Sequence, residues 1–310
     1  MTNAMARRTR LSRCLIVLLL LGAATPGAAQ NLDPRSFVNT PVGINFVTAA
    51  YGYSTGNVLF DAAIALDNAD LTVQGPNGGY ARALDLWGLS GKVDGALGWA
   101  CADGSALFNG APVSRSVCGL SDPTAHVSVN FIGAPALTLR EYPKYKQNIL
   151  VGAGFRVTAP LGQYDPTKLV NIGTNRWSFK SEIGASKQSG RLTLEFLGSV
   201  TIFTANTDFL GGHEQSQAPL YSGQINVIYT FRSGIWGGVG GLIYAGGATT
   251  TDGGAPSEPQ QNTRGGAVLV FPIGTHNSVK AYWSTGVSTR TGTDFNTFVV
   301  SWIHLWGGKR

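Results

Sequence analysis

The sequence predicts an all-β protein, a transmembrane antiparallel up-and-down β-barrel of about 12 strands, and three observations predict it. Charged residues make up 13% of the chain while glycine reaches 42 residues, against roughly 25% charged in an ordinary soluble domain. Segments of about ten residues alternate apolar and polar side chains, the period of a strand with two unlike faces. The connections between those segments are short on one side and long on the other, the asymmetry of outer-membrane barrels.

The chain opens on a targeting segment. Arg7, Arg8, Arg10 and Arg13 precede an apolar run that is uninterrupted from Ile16 to Leu21, and Gly27-Ala28-Ala29 supplies the small residues a signal peptidase reads. Residues 1–29 are therefore expected to be a cleaved signal peptide and residues 30–310 the barrel. The run is too short for a membrane anchor, and Cys14 precedes it, which is not a lipoprotein layout. Removing the signal lowers the net charge from +6 to +2, leaving 19 basic against 17 acidic residues. The basic balance thus gives no argument for nucleic acid.

Twelve strands follow, near 43–54, 79–87, 91–101, 124–133, 147–160, 176–187, 190–203, 220–231, 234–245, 262–271, 277–285 and 294–306. The 57–78 stretch has room for an extra hairpin, so fourteen is the alternative count. Alternation is clearest where Val127, Val129 and Phe131 face one way and His126, Ser128 and Asn130 the other. The same reading holds for Leu192, Leu194 and Phe196 against Arg191, Thr193 and Glu195. A half-buried soluble sheet shows the same pattern, so loop lengths decide. With the N-terminus in the periplasm, the internal turns are 88–90, Gln188-Ser189, Arg232-Ser233 and 272–276. The external loops are 55–78, 102–123, 161–175, 204–219, 246–261 and 286–293. The internal 134–146 connection breaks the rule and is expected to form a short helix below the barrel. Trp87, Trp99, Trp177, Trp236, Trp283, Trp302 and Trp306 all fall in these strands, which suits aromatic girdles at the two lipid boundaries. Closure satisfies every backbone polar group without water, and twelve strands leave a lumen wider than an eight-strand barrel fills.

In the mature chain Cys101 and Cys118 remain, and an oxidising compartment favours a disulfide across the loop between them. Polar residues on the non-lipid face would set selectivity. The lumen-lining candidates are Lys92, Asp94, His126, Arg156, Lys180, Glu182, Arg191, Glu195, Arg264 and Lys280; the alternative is that these charges pair and brace the wall. Asp165, Asn171, Asn175 and Arg176 belong to the external 161–176 segment, where turn chemistry competes with contact to a solute. His126, Ser128 and Asn130 share one strand face, as a serine hydrolase would use, yet polar alternation produces such trios unaided. Gly237 to Gly241 lies inside a strand, so it reads as a bend or a close approach rather than a dinucleotide loop. Asp252-Gly253-Gly254 reads as a turn before it reads as a calcium loop. No catalytic residue, metal or cofactor is expected.

Four long stretches go further: Ala134 to Tyr142 (APALTLREY), Pro160 to Pro166 (PLGQYDP), Asn171 to Lys180 (NIGTNRWSFK) and Ser284 to Phe295 (STGVSTRTGTDF). They resemble the outer-membrane proteins named for the meta-cleavage pathway of phenol degradation, over about Pro41 to Trp306. The resemblance implies an outer-membrane barrel that passes or captures small, hydrophobic or aromatic molecules. A non-transporting structural or loop-binding barrel is the alternative, and an outer-membrane hydrolase a minor one. The expected partners are the lipid bilayer, the barrel-assembly machinery and a small-molecule solute.

Overall fold

The computed structural model describes residues 32, 34–57, 67–108, 110–231, 234–289 and 294–309. The signal-peptide segment, the Arg232-Ser233 turn and the middle of the 55–78 loop lie outside the described residues. Twelve strands form the wall: β1 (Ile44–Gly56), β2 (Asp67–Leu86), β3 (Leu89–Phe108), β5 (Thr124–Ile132), β6 (Ile149–Thr158), β7 (Ser178–Ser189), β8 (Leu192–Phe203), β11 (Leu220–Thr230), β12 (Trp236–Gly246), β14 (Gln260–Ile273), β15 (Asn277–Thr289) and β16 (Phe295–Gly307). All pairings are antiparallel, β1 pairs with β16, and the β2–β3 pairing closes the ring. The expected strands correspond one to one. The fourteen-strand alternative is excluded because residues 67–78 continue β2 upward as one strand.

The faces are inverted relative to a soluble sheet. Val127, Phe131, Phe155, Ile183, Phe196, Ile243 and Val300 are exposed, while His126, Ser128, Asn130, Glu182, Glu195 and Arg264 are buried. Apolar side chains stay outward only if lipid rather than water meets them. The chain is therefore an outer-membrane barrel with a polar interior. Among the tryptophans, Trp302 and Trp306 face outward towards the short-turn end, and Trp177 lies just before β7 at the other. Two departs from the expected girdle. Trp236 is buried inside the wall, and Trp87 sits in the β2–β3 turn, fully exposed with φ +56°. Gly88 follows at φ +84° and donates its N–H to Asp85 Oδ1 at 2.8 Å, giving the two-residue positive-φ turn that suits a hairpin.

A spanning strand needs about 9–11 residues. β5 has 9, but β2 and β3 have 20 each, so their long-loop ends project beyond the membrane. β3 changes partner on the way. Residues 91–96 pair with β5, and residues 99–108 pair with β4 (Ala111–Leu120). Cys101 and Cys118 are direct partners in that hairpin and form a disulfide with Cα atoms 4.0 Å apart. The loops expected at 204–219 and 246–261 carry a second small sheet, of β9 (Asn206–Phe209), β10 (His213–Gln217) and β13 (Thr249–Thr251). Its strands are short and polar, so they carry no apolar alternation for sequence to reveal. The short helix expected in the 134–146 connection is a single 3₁₀ turn, Tyr142–Lys144. Thr138 and Glu141 exchange hydrogen bonds before it, the reciprocal pattern of a capping box. Those bonds from Thr138 hold the Glu141 carboxyl below the usual carboxylate range.

Candidate functional site: the plugged lumen

The described residues before β1 are anchored at several points. At the short-turn end Val42 donates to Leu137 O, and Lys309 donates to Val42 O, tying the N-terminal segment to the 134–146 connection and the C-terminus. From there the segment turns into the lumen. Asn130 Nδ2 donates to Val38 O at 3.1 Å, Arg35 N donates to Glu195 Oε2 at 2.7 Å, and Arg35 Nη2 donates to Thr230 Oγ1 at 2.9 Å. The Arg35 guanidinium lies 4.3 Å over the Trp236 ring, which shares the inward parity of Leu242 and Tyr244. Leu32 N reaches Tyr282 Oη on the far wall. Leu32, Arg35, Phe37 and Asn39 are all buried. The segment crosses the lumen from the β5–β6 side to the β14–β15 side.

Glycines in the wall make the room. A Cβ at Gly152 would lie 2.5 Å, and one at Gly184 2.6 Å, from Phe37 ring atoms. A Cβ at Gly266 would lie 2.7 Å from Leu32 Cδ1. Glycine in a strand interior marks such close approaches. These three are sockets for Phe37 and Leu32, two of the plug's apolar side chains.

Above the plug, the structure brings six of the ten sequence candidates together across four adjacent strands. Lys92 Nζ lies 3.5 Å from Asp94 Oδ1, which lies 2.9 Å from His126 Nδ1. His126 Nε2 lies 3.2 Å from Glu182 Oε1, and Lys180 Nζ 3.1 Å from Glu182 Oε2. Arg156 is the register partner of both His126 and Lys180. A Cβ at Gly154 would meet His126 Nε2 at 2.6 Å, so that glycine admits the imidazole to its second carboxylate. With both ring nitrogens turned to carboxylates, His126 is not oriented as a base for Ser128.

Of the other four, Glu195 is on β8 and holds the plug, also accepting from Asn226 Nδ2 at 3.3 Å. Arg264 is buried near the long-loop end, donating to Ser284 Oγ and Phe295 O and stacking 3.7 Å from the Phe295 ring centroid. Lys280 is buried with its ammonium 6.0 Å from the Tyr282 ring. Arg191 corrects the alternation reading. It sits exposed in the β7–β8 turn, where the strand period no longer fixes direction. Sequence missed Arg35 and Phe37, because an irregular segment has no periodicity to read.

At the other end the 161–176 segment packs Val170 and Ile172 against Leu71, Val73 and Phe295 of the wall strands. Asn171 receives the Asp165 N–H on Oδ1 at 2.9 Å and donates from Nδ2 to Asp165 O and Lys168 O. Asp165 Oδ1 accepts from Thr167 Oγ1 and N, which holds its carboxyl below the usual range. Buried Asp122 accepts from Gly162 N, Thr174 N and Thr174 Oγ1, each at 2.8 Å. Arg176 is buried, donates to Gln217 Oε1 at 2.7 Å and lies over Phe203. Asn175 Nδ2 donates to Asn206 Oδ1 at 2.9 Å. In the small sheet Asp252 accepts from Glu214 N and bonds His213, and its carboxyl is lowered by those contacts. Asp252-Gly253 is thus a turn. Among the described residues no three His, Cys, Asp or Glu side chains are placed to hold a metal.

A family model described as "Putative MetA-pathway of phenol degradation" matches residues 22–302. The chain belongs to that family. No curated protein sequence matches it. Among solved structures, this family member is similar to an outer membrane channel from Pseudomonas putida F1, at 18% identity over 89% of this chain and 100% of the other, TM-score 0.73. The β domain of the Bordetella autotransporter BrkA matches at 13% identity over 86% of this chain and 100% of that one, TM-score 0.50. The transport unit of the autotransporter AIDA-I from Escherichia coli matches at 8% identity over 90% and 94%, TM-score 0.51. These likenesses agree on the closed barrel.

Proposed function

We propose that the protein, exported by removal of residues 1–29, is an outer-membrane channel for small, largely apolar molecules whose lumen is closed at rest by residues 32–43. The observation that carries this reading is the seating of Phe37 and Leu32 in glycine sockets while Glu195 holds the Arg35 backbone. A barrel whose interior served only to brace the wall would have no use for such sockets. The family description supports aromatic compounds as the solute class, and the paired charges above the plug supply a polar lining past which an apolar solute would be drawn slowly and an ion selected.

The test is conductance and liposome swelling with the refolded mature chain and with a chain lacking residues 30–40. The full chain is expected to conduct little and the shortened one to give discrete, larger steps, with toluene or phenol lowering the current. Equal, near-zero conductance in two correctly folded barrels would overturn the channel reading in favour of a structural or partner-binding barrel.

A further inference from the structure

A cavity of about 300 Å³ lies outside the membrane, between the stapled arm and the 161–176 cap. Leu71, Ala106 and Val113 form one wall and Leu169, Val170 and Leu210 the other. Two cations stand at this cavity, Arg115 and Lys168. Arg115 donates Nε–H to Val170 O at 3.3 Å, and its Nη2 is 3.9 Å from Asp165 Oδ2, too long for a tight ion pair. Thr167 engages Oδ1 of that carboxylate, so Oδ2 alone faces Arg115. A half-buried guanidinium is thus presented beside apolar walls with donor capacity to spare.

Both walls are built before any ligand arrives. Cys101–Cys118 locks the arm that carries Ala106, Val113 and Arg115, and the Asn171 bonds fix the loop that carries Lys168, Leu169 and Val170. A preorganised pocket spends little of its binding energy on ordering itself. Pockets for small ligands span about 300–1,000 Å³, so this one takes a single ring rather than a fused system or a long acyl chain.

We infer that this cavity is an external binding site for a one-ring organic monoanion, its apolar body between Val113 and Leu169 and its carboxylate or phenolate on Arg115. The inference rests on the channel reading only in making this a loading site for the lumen; binding itself does not require passage. It also adds a charge to the solute that the lumen alone does not specify.

The test uses the full mature chain in lipid nanodiscs, with 4-fluorobenzoate and its neutral isostere 4-fluorobenzamide followed by ¹⁹F NMR. Saturable one-to-one binding of the benzoate is expected, with the benzamide about tenfold weaker. Arg115→Gln should erase that difference, and Leu169→Trp should abolish binding of both while the barrel keeps its heat-modifiable mobility. Val113→Phe is the second cavity-filling variant, should Leu169→Trp fail to fold. No saturable binding, or binding indifferent to the cavity-filling variant, overturns the site; equal affinity for the two probes overturns the anion. Conductance is measured on the same protein preparations in planar bilayers, so a barrel that binds without conducting refutes the channel and leaves this site standing.

Discussion

The two ends of the lumen are closed by segments of opposite construction. The plug is held by bonds to residues far away in sequence: Leu32 to Tyr282, Arg35 to Glu195 and Thr230, and Val38 to Asn130. The external cap adds a set of bonds within itself, where Asp165, Thr167, Lys168 and Asn171 close one turn on another, to its anchors on Asp122, Asn206 and Gln217. A segment whose order is borrowed from a wall can leave that wall as a unit. A segment that orders itself keeps its shape whatever the lumen does. On the proposed channel reading, the difference would give movement to the plug and a fixed mouth to the cap.

The largest expected effect falls on the cap. Asp122→Ala removes one buried carboxylate that receives three bonds, costing about 3 kcal/mol locally if hydrogen bonds to a charge are worth about 1.5–3 kcal/mol each and are not additive. Hydrogen exchange and proteolysis should accelerate within 161–176 and leave the resting conductance unchanged. A rise in conductance would mean that the cap, too, is a gate.

The plug should yield to a smaller change in the opposite direction. Gly184→Val fills a socket and crowds Phe37 and Leu197, costing roughly 1–3 kcal/mol as overpacking does. Conductance should approach that of the truncated chain with the wall intact. Phe37→Ala in the same chain should relieve the crowding without reseating the plug. Glu195→Gln is milder. It keeps an acceptor for Arg35 N–H and loses the charge, about 1 kcal/mol, so brief openings should become more frequent without becoming permanent. If neither variant alters gating, the sockets are packing features of a static plug.

The wall was legible in the sequence because a strand writes its environment with a period of two. Val127, Val129 and Phe131 against His126, Ser128 and Asn130 specify one strand and both its faces, and loop lengths then choose lipid over a soluble core. Six candidate charges meet across β3, β5, β6 and β7 because strand parity alone put them on one face. Parity fails at turns, which is why Arg191 sits exposed, and it does place Trp236 inward with Leu242 and Tyr244 against Val239 and Ile243, while Arg35 supplies the ring's partner there. The plug, the small β9–β10–β13 sheet and the external cavity rest on irregular or short polar segments, where nothing repeats. Glycine was the one available signal. Gly152, Gly154, Gly184 and Gly266 interrupt strands that otherwise alternate, each where another group approaches.

Acid offers the gentlest way to separate the two closures. Asp165 and Asp252 have carboxyls held below their ordinary value of 3.8, first by Thr167 and Glu214 respectively. For a lowered folded pKa the stabilisation is present above the unfolded value and is lost as pH falls through the folded one. Cap order should therefore be constant from neutral pH down to about 4 and soften below it. Both groups are exposed, so solvent screens them and the effect is the smallest of the series. Cap protection against exchange, followed from pH 6 to pH 3, should fall only at the acid end, and Asp165→Asn should remove part of that fall. Softening already complete at pH 5 would transfer the acid sensitivity to another group and would break its assignment to Asp165 in the cap.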